Sequence, residues 1–410
     1  MKQRSMLLAA LCILVLGSCE QKIAVLEVGM PQDPQGIYVP AGVNLDEITD
    51  LPASSLCLVE IRDGQKRTVP FQVEQGPPRI LRFLVNPEAS GKYLYELHRG
   101  RPQISEQVSA GNENGYLTLH YGDQNLLRYT HKIVYPPEGV DTAYKRSGFI
   151  HPLWSPNGQV LTRIQPPDHY HHYGIWNPWT RVLFEGDTVD FWNLGDHQGT
   201  VRFADFLSTL QGPLDAGFEA HHEHVVFGKD ASGKVVLDEI QGIRVYHPQE
   251  GGDFFIVDFV IRYKCTTGIP FHILAYRYQG FGWRTTEAWD NRNSEVLTSE
   301  GRTRRDADGS RARWCLVQGD IEDDYAGVLM MSFPENYNHP EPLRIWPEDQ
   351  YGRGDMFANF CPAKDRDWMM EPGNNYKLNY RLLVYNGKLS SGQAEAAWQY
   401  YANPPEVMVK

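Results

Sequence analysis

The run Phe254-Phe255-Ile256-Val257-Asp258-Phe259-Val260-Ile261-Arg262-Tyr263 is dominated by β-branched and aromatic residues, the composition of a β-strand. Working outward, similar runs occupy Ile243–Tyr246, Lys234–Leu237 and Val225–Phe227 on one side, and Gly327–Phe333 and Tyr376–Tyr385 on the other. Further upstream lie Gly115–Tyr121, Lys92–Leu97, Arg79–Val85 and Ser55–Ile61, with turns such as Asp63-Gly64 and Gly122-Asp123 between runs. Short strands at regular spacing predict an all-β fold built on a sandwich, not alternating βαβ units. One helix is expected near the C-terminus, where Ser390 and Gln393 spell a capping box ahead of Ala394-Glu395-Ala396-Ala397-Trp398. The polar stretch 99–114 separates a small β domain, 19–105, from a large, supersandwich-like β domain, 115–402.

The chain has 410 residues, 39 Lys and Arg against 51 Asp and Glu, and a net charge of −12. Such an acidic balance excludes a nucleic-acid partner, because phosphate contact needs clustered cations. Aromatic residues reach 12%, which suits sugar rings as well as sandwich cores. Lys2 and Arg4 precede the apolar run Met6 to Leu16, and Leu16-Gly17-Ser18 leads into Cys19. This arrangement predicts a lipoprotein signal, residues 1–18, with Cys19 acylated after cleavage. The protein is then expected in the periplasm or at the cell surface, held to the membrane by its lipid alone. Cys57, Cys265, Cys315 and Cys361 are too widely spaced for a zinc ribbon or a redox pair.

The chemistry gathers around histidine. His151-Pro152 is followed by Pro166-Pro167-Asp168-His169-Tyr170-His171-His172-Tyr173-Gly174-Ile175-Trp176, then by Asp196-His197 and His221-His222-Glu223-His224. In an extended segment His169 and His171 share one face and His172 the other. The flanking Pro-Pro and Gly174 suggest instead a structured loop in which they converge. Three roles are open: a proton-transfer pocket of His151, His169, His171, His172 and His197, with Tyr170 or Tyr173 assisting; a metal site; or structural bonding across the sandwich. Crowding is expected to hold several of these imidazoles neutral. No cofactor is expected in the first role. In the second, His169, His171, His222 and His224 would hold a divalent ion such as zinc.

A second constellation, Tyr276-Arg277-Tyr278-Gln279-Gly280-Phe281-Gly282-Trp283-Arg284, precedes Ser299-Glu300-Gly301. Tyr278 and Arg284 join the catalytic candidates. Trp176, Trp179, Asp168 and Glu300 are the candidates for holding a sugar, and Arg284 could add a bidentate fork to a carboxylated one. The nucleophile-elbow, P-loop and dinucleotide patterns are absent.

The segments Ser147-Gly148-Phe149-Ile150-His151-Pro152-Leu153, Pro167-Asp168-His169-x-His171-His172-x-Gly174-Ile175-Trp176, Ser299-Glu300-Gly301, Arg313-Trp314, and Tyr380-Arg381 to Asn386-Gly387 resemble the bacterial "methane oxygenase PmoA" family. The resemblance covers roughly residues 115–400. It implies a secreted β-sandwich protein of unknown function with a glycan-related role, not a membrane oxygenase, since no stretch after the leader could span a bilayer. These features together predict a lipid-anchored protein that cleaves or eliminates at the end of an oligosaccharide or polysaccharide chain. A non-catalytic glycan-binding or scaffold lipoprotein is the alternative.

Overall fold

A computed structural model describes residues 21–102, 106–228, 233–248 and 251–410; Cys19 and the leader lie outside them. The protein is all-β, with a single α-helix among the described residues. No helix of the described residues is long and apolar enough to cross a membrane.

The large unit is built on two antiparallel sheets packed face to face, with a smaller four-stranded sheet of Asp187–Val189, Val182–Phe184, Phe271–Ile273 and Trp368–Met370 beside them. One has eight strands, in the order Gly199–Leu210, Asp215–Phe227, Gly233–Tyr246, Phe254–Cys265, Tyr376–Asn386, Asp324–Ser332, Trp314–Ile321 and Ser294–Thr298. The other has nine, and its middle strands are Glu341–Ile345, Phe357–Phe360, Phe281–Arg284, Ile175–Trp176 and Phe149–Leu153. Period-two alternation assigns each residue to a face. In Phe254–Cys265, residues Val257, Phe259, Ile261, Tyr263 and Cys265 enter the core between the sheets. Phe254 and Ile256 turn the other way, into a cluster with Ala394, Ala397, Trp398 and Tyr401 of the helix Ser391–Ala402. The helix starts as expected: Ser390 Oγ accepts from the Gln393 amide, and the Gln393 side chain accepts from the Ser390 amide at 3.0 Å.

Two smaller sheets form the N-terminal unit around Leu26, Val28, Leu58, Phe71, Phe83 and Leu97. Its strand Gln21–Met30 lies between Gly91–Arg99 and the edge strand Val407–Val409, which comes from a distant part of the sequence. Within the polar stretch 99–114, Val108–Glu113 forms an edge strand of the nine-stranded sheet, with only Val108 buried.

Two of the expected strands are one. Lys234–Leu237 and Ile243–Tyr246 lie in the continuous strand Gly233–Tyr246. Asp238, Glu239 and Gln241 look like an interruption, but the neighbouring strand supplies partners for Asp238 and Glu239, and Gln241 donates to Glu239. His221 bonds Asp238 at 2.9 Å, and His224 bonds Glu239 at 2.7 Å. Cys265, Cys315 and Cys361 are free thiols in the interior.

Glu341 is fully buried and accepts from Ser332 at 2.6 Å, Asn336 at 2.8 Å and Tyr380 at 2.9 Å. Burial pushes its carboxyl up to about 7, against the pull of these donors. Because the folded state then holds its proton more tightly than the unfolded state, stability falls as pH rises from about 4.5 to 7 and levels off above. The loss is about 3 kcal/mol. Glu341→Gln should flatten that part of the profile, leaving the variant less sensitive than the parent in Tm measured from pH 4.5 to 8.

Candidate active site

On the outer face of the nine-stranded sheet, alternate residues build a second apolar layer. Trp176 and Phe357 point away from the core and join Phe149, Tyr173, Trp192, Leu194 and Trp346. Gly282 makes room for this layer: a Cβ there would stand 3.2 Å from Trp192 and 3.3 Å from Phe357. The histidine loop lies over it. His169 N–H donates to Pro166 at 2.8 Å and His172 N–H to His169 at 3.0 Å, so the segment forms successive turns and is not extended. Gln165 N–H closes the loop on the His172 carbonyl at 2.8 Å. Gly174, with φ +57°, ends it where any Cβ would collide with the Ile150 carbonyl.

These turns bring three imidazoles together. Ring centroids are 5.1 Å apart for His169 and His171, 4.5 Å for His169 and His172, and 4.9 Å for His171 and His172. One nitrogen from each lies within 4.8 Å of the other two. His169 Nδ1 bonds Asp168 at 2.8 Å and its Nε2 bonds the Tyr351 hydroxyl at 3.1 Å. Behind them Arg284, buried at 1% side-chain exposure, reaches Asp168 at 2.9 Å and Asp355 at 3.0 Å. Its guanidinium lies 4.4 Å from the centre of the Trp346 ring. His172 packs among Trp176, Trp346 and Phe357, and its Nδ1 is buried without a hydrogen-bond partner.

Electrostatics follow from this packing. Burial, then the neighbouring charge of His169, depresses His171 to about 3. Burial also carries His172 well below the ordinary histidine range. Neutral imidazoles were expected, but desolvation contributes more than mutual repulsion. Burial favours a protonated Asp168, yet the His169 hydrogen bond and the Arg284 charge hold it at about 2. Burial drives Tyr278 up to about 12, so its hydroxyl keeps its proton at neutral pH.

The rings open onto a cavity of about 170 Å³, walled by Trp192, Trp346, Tyr351 and Phe357 and edged by Asn193, Arg277, Tyr278, Arg344 and Gln350. Tyr278 is held by Asn193 through bonds of 3.0 and 3.2 Å. No Asp or Glu is among the lining residues. Arg344 is paired with Asp308 at 2.6 Å. Arg277 is exposed, its guanidinium lies over the rings of Tyr276 and Tyr278, and it has no carboxylate partner among the described residues.

Of the residues singled out in the sequence, His169, His171, His172 and Tyr278 line this cavity, with Asp168 and Arg284 behind it. The others lie elsewhere. His151 is bonded to Thr162 at 2.9 Å within the sheet, where burial lowers it to about 4. His197 is exposed and paired with Asp141 at 2.9 Å. Trp176 is buried beneath His172 and Trp179 within the main core, so neither offers a face to a sugar. Asp168 is already engaged by His169 and Arg284. Glu300 occupies an exposed turn beside Arg313. His222 and His224 do not join His169 and His171 as ligands: they lie between the sheets, where both engage Glu239. The sequence reading missed Trp192, Asn193, Arg344, Trp346, Gln350, Tyr351 and Phe357, which come from distant segments without local motifs.

Residues 116–399 match a family of unknown function (DUF6807). No curated protein matches the chain. Among solved structures, a protein in glycosyl hydrolase family 38 from Enterococcus faecalis is similar with a TM-score of 0.45 and 8% identity, over 94% of this chain and 47% of that one. An alpha-mannosidase from Enterococcus faecalis is similar at 0.43 and 8%, over 94% and 46%. This chain therefore spans about half the length of both. A GalM/aldose epimerase homologue from C. elegans is similar at 0.31 and 8% identity, over 70% of this chain and 100% of that one.

Proposed function

The chain belongs to a family of unknown function (DUF6807), and from its own site we propose that it is a lipid-anchored, carbohydrate-active enzyme that takes one acidic sugar unit at a glycan chain end and breaks the linkage by elimination. The observation that carries this reading is the charge of the cavity. In a chain of net charge −12, the lining holds no Asp or Glu and carries the guanidinium of Arg277 without a carboxylate partner among the described residues, set among aromatic walls and three imidazoles of which burial keeps His171 and His172 neutral. The walls suit the apolar faces of a sugar ring, and the volume of about 170 Å³ limits occupancy to a small unit. The unpaired fork of Arg277 suits a sugar carboxylate.

Hydrolysis of a glycoside ordinarily takes two carboxylates flanking the bond, and the lining offers none. Elimination does not need them. A base removes the hydrogen from the carbon next to the sugar carboxylate. That C–H electron pair becomes a carbon–carbon double bond as the glycosidic oxygen departs with its bonding pair, and an acid protonates it. Arg277 would neutralise the carboxylate, and Tyr278, held protonated and oriented by Asn193, would protonate the leaving oxygen.

The lipid anchor on Cys19 is part of the same proposal. Cys19→Ala should leave the membrane fraction, since acyl chains contribute about 0.8 kcal/mol per buried methylene. Wild type and this soluble form are to be incubated with uronate-containing and neutral oligosaccharides and read by mass spectrometry. A fragment one water lighter than the hydrolysis product is the expected result. Uptake of water would identify a hydrolase instead, and binding without any mass change would identify a glycan-binding module.

A further inference from the structure

The geometry points to a mononuclear metal centre on His169, His171 and His172, at the floor of the same cavity, suited to zinc or a similar divalent first-row ion. The argument is metric. An imidazole nitrogen bound at ~2.0–2.1 Å places its ring centroid about 3.2 Å from the metal, so ligand rings ~90–110° apart stand about 4.5–5.2 Å centroid to centroid. The three observed separations, 4.5, 4.9 and 5.1 Å, all fall within that interval. The ligand nitrogens lie within 4.8 Å of one another, against about 3.0–3.4 Å for a bound set. The planes of His169 and His172 stand 28° apart, so closing that difference takes a turn of these rings about their side-chain bonds as an ion binds.

The surroundings are those a metal site requires. Asp168 takes the Nδ1 hydrogen of His169 at 2.8 Å and is itself held by Arg284, a carboxylate–histidine arrangement that leaves His169 Nε2 as the lone-pair nitrogen. That nitrogen now accepts from Tyr351, an exposed side chain that an arriving ion would displace. His172 Nδ1, buried and unpartnered, has an unmet need for a hydrogen bond or an ion. Three protein ligands on a cavity floor leave a coordination position open toward whatever the cavity holds, the pattern of catalytic rather than structural zinc. The aromatic layer beneath excludes water from the ligands' far side. This set differs from the four-histidine alternative in the sequence, because His222 and His224 are committed to Glu239.

The centre shares its cavity with the proposed elimination, but its test uses no sugar, so the two can fail separately. The full chain, purified without a histidine tag, should carry about one zinc-class ion by elemental analysis. Chelator-stripped protein should take up one Zn²⁺ in competition with a chromophoric chelator and show a higher Tm when loaded. Cobalt-loaded protein should give the visible absorption of a nitrogen-ligated ion. His171→Ala and His172→Ala should each weaken uptake at least ~100-fold, Asp168→Asn by about 10–100-fold, and His197→Ala not at all. Stripped wild type that remains folded yet takes up neither Zn²⁺ nor Co²⁺ would overturn the inference. So would undiminished uptake by a folded His171→Ala, His172→Ala double variant.

Discussion

Arg284→Met is expected to lower the stability of the chain by about 2–4 kcal/mol and to weaken metal uptake at the histidine trio by about 10–100-fold. Among the described residues Arg284 is the one cation that bridges Asp168 and Asp355, at 2.9 and 3.0 Å, while its flat face covers Trp346; Asp355 also pairs with Arg353 at 2.5 Å. Methionine fills much of the volume but leaves two carboxylates side by side without their bridging charge. Breaking a buried pair by removing one partner costs about 3–5 kcal/mol, and the partial exposure of both carboxylates argues for a smaller figure here. Asp168, no longer anchored, would also cease to fix the His169 ring. Urea denaturation followed by circular dichroism, alongside chelator competition on the same preparation, reads both effects. Arg284→Lys should recover only part of either, because an ammonium cannot span both carboxylates as a guanidinium does. A denaturation midpoint unchanged from wild type in Arg284→Met would mean that the ion cluster adds nothing to stability.

Glu239→Leu is expected to cost about 3–5 kcal/mol, and its effect should be confined to stability. Glu239 lies between the sheets without solvent exposure. It accepts from His224 at 2.7 Å and Gln241 at 2.5 Å, with His222 at 3.4 Å. His222 in turn bonds the Tyr129 hydroxyl. Burial opposes an ionised Glu239, yet the hydrogen bonds from His222 and His224 hold its carboxyl below the ordinary range. Leucine would strand these donors and leave the buried Arg146 without a nearby anion. Glu239→Gln should cost less, about 1–3 kcal/mol, because His224 can exchange tautomers to meet an amide. The two midpoints in urea, compared with that of wild type, check the ranking. Equal losses in both variants would show that charge, not hydrogen-bond count, dominates this cluster.

The fold was legible wherever local composition and packing agree. Phe254–Tyr263 reads as a strand because one face packs on the opposite sheet along its length, while Phe254 and Ile256 on the other meet the helix cluster. Ser390 and Gln393 mark the helix start because a capping box is satisfied within four residues. Gly233–Tyr246 was split because Asp238 and Glu239 are poor strand residues until paired with His221 and His224, which no local rule anticipates. At the site, His169, His171 and His172 were legible as a crowd in one loop. Trp346, Tyr351 and Phe357 were not, since they reach the cavity through sheet order rather than spacing. His197 and Trp179 misled for opposite reasons, one lying on the surface and the other sealed in the core.

The pairing of Gln21–Met30 with Val407–Val409 also constrains the order of assembly. Lys410 N–H donates to the Val25 carbonyl at 2.9 Å, and Lys410 Nζ reaches Glu27, so residues from distant parts of the sequence complete one sheet. A polypeptide made from its N-terminus holds Leu26 to Val28 with one edge unpaired until the distant segment Val407–Val409 has been made. An open edge is a template for pairing with other chains, and closure across so long a separation is slow. Until Val407 to Val409 arrive, Leu26 to Val28 present such an edge in the newly made chain.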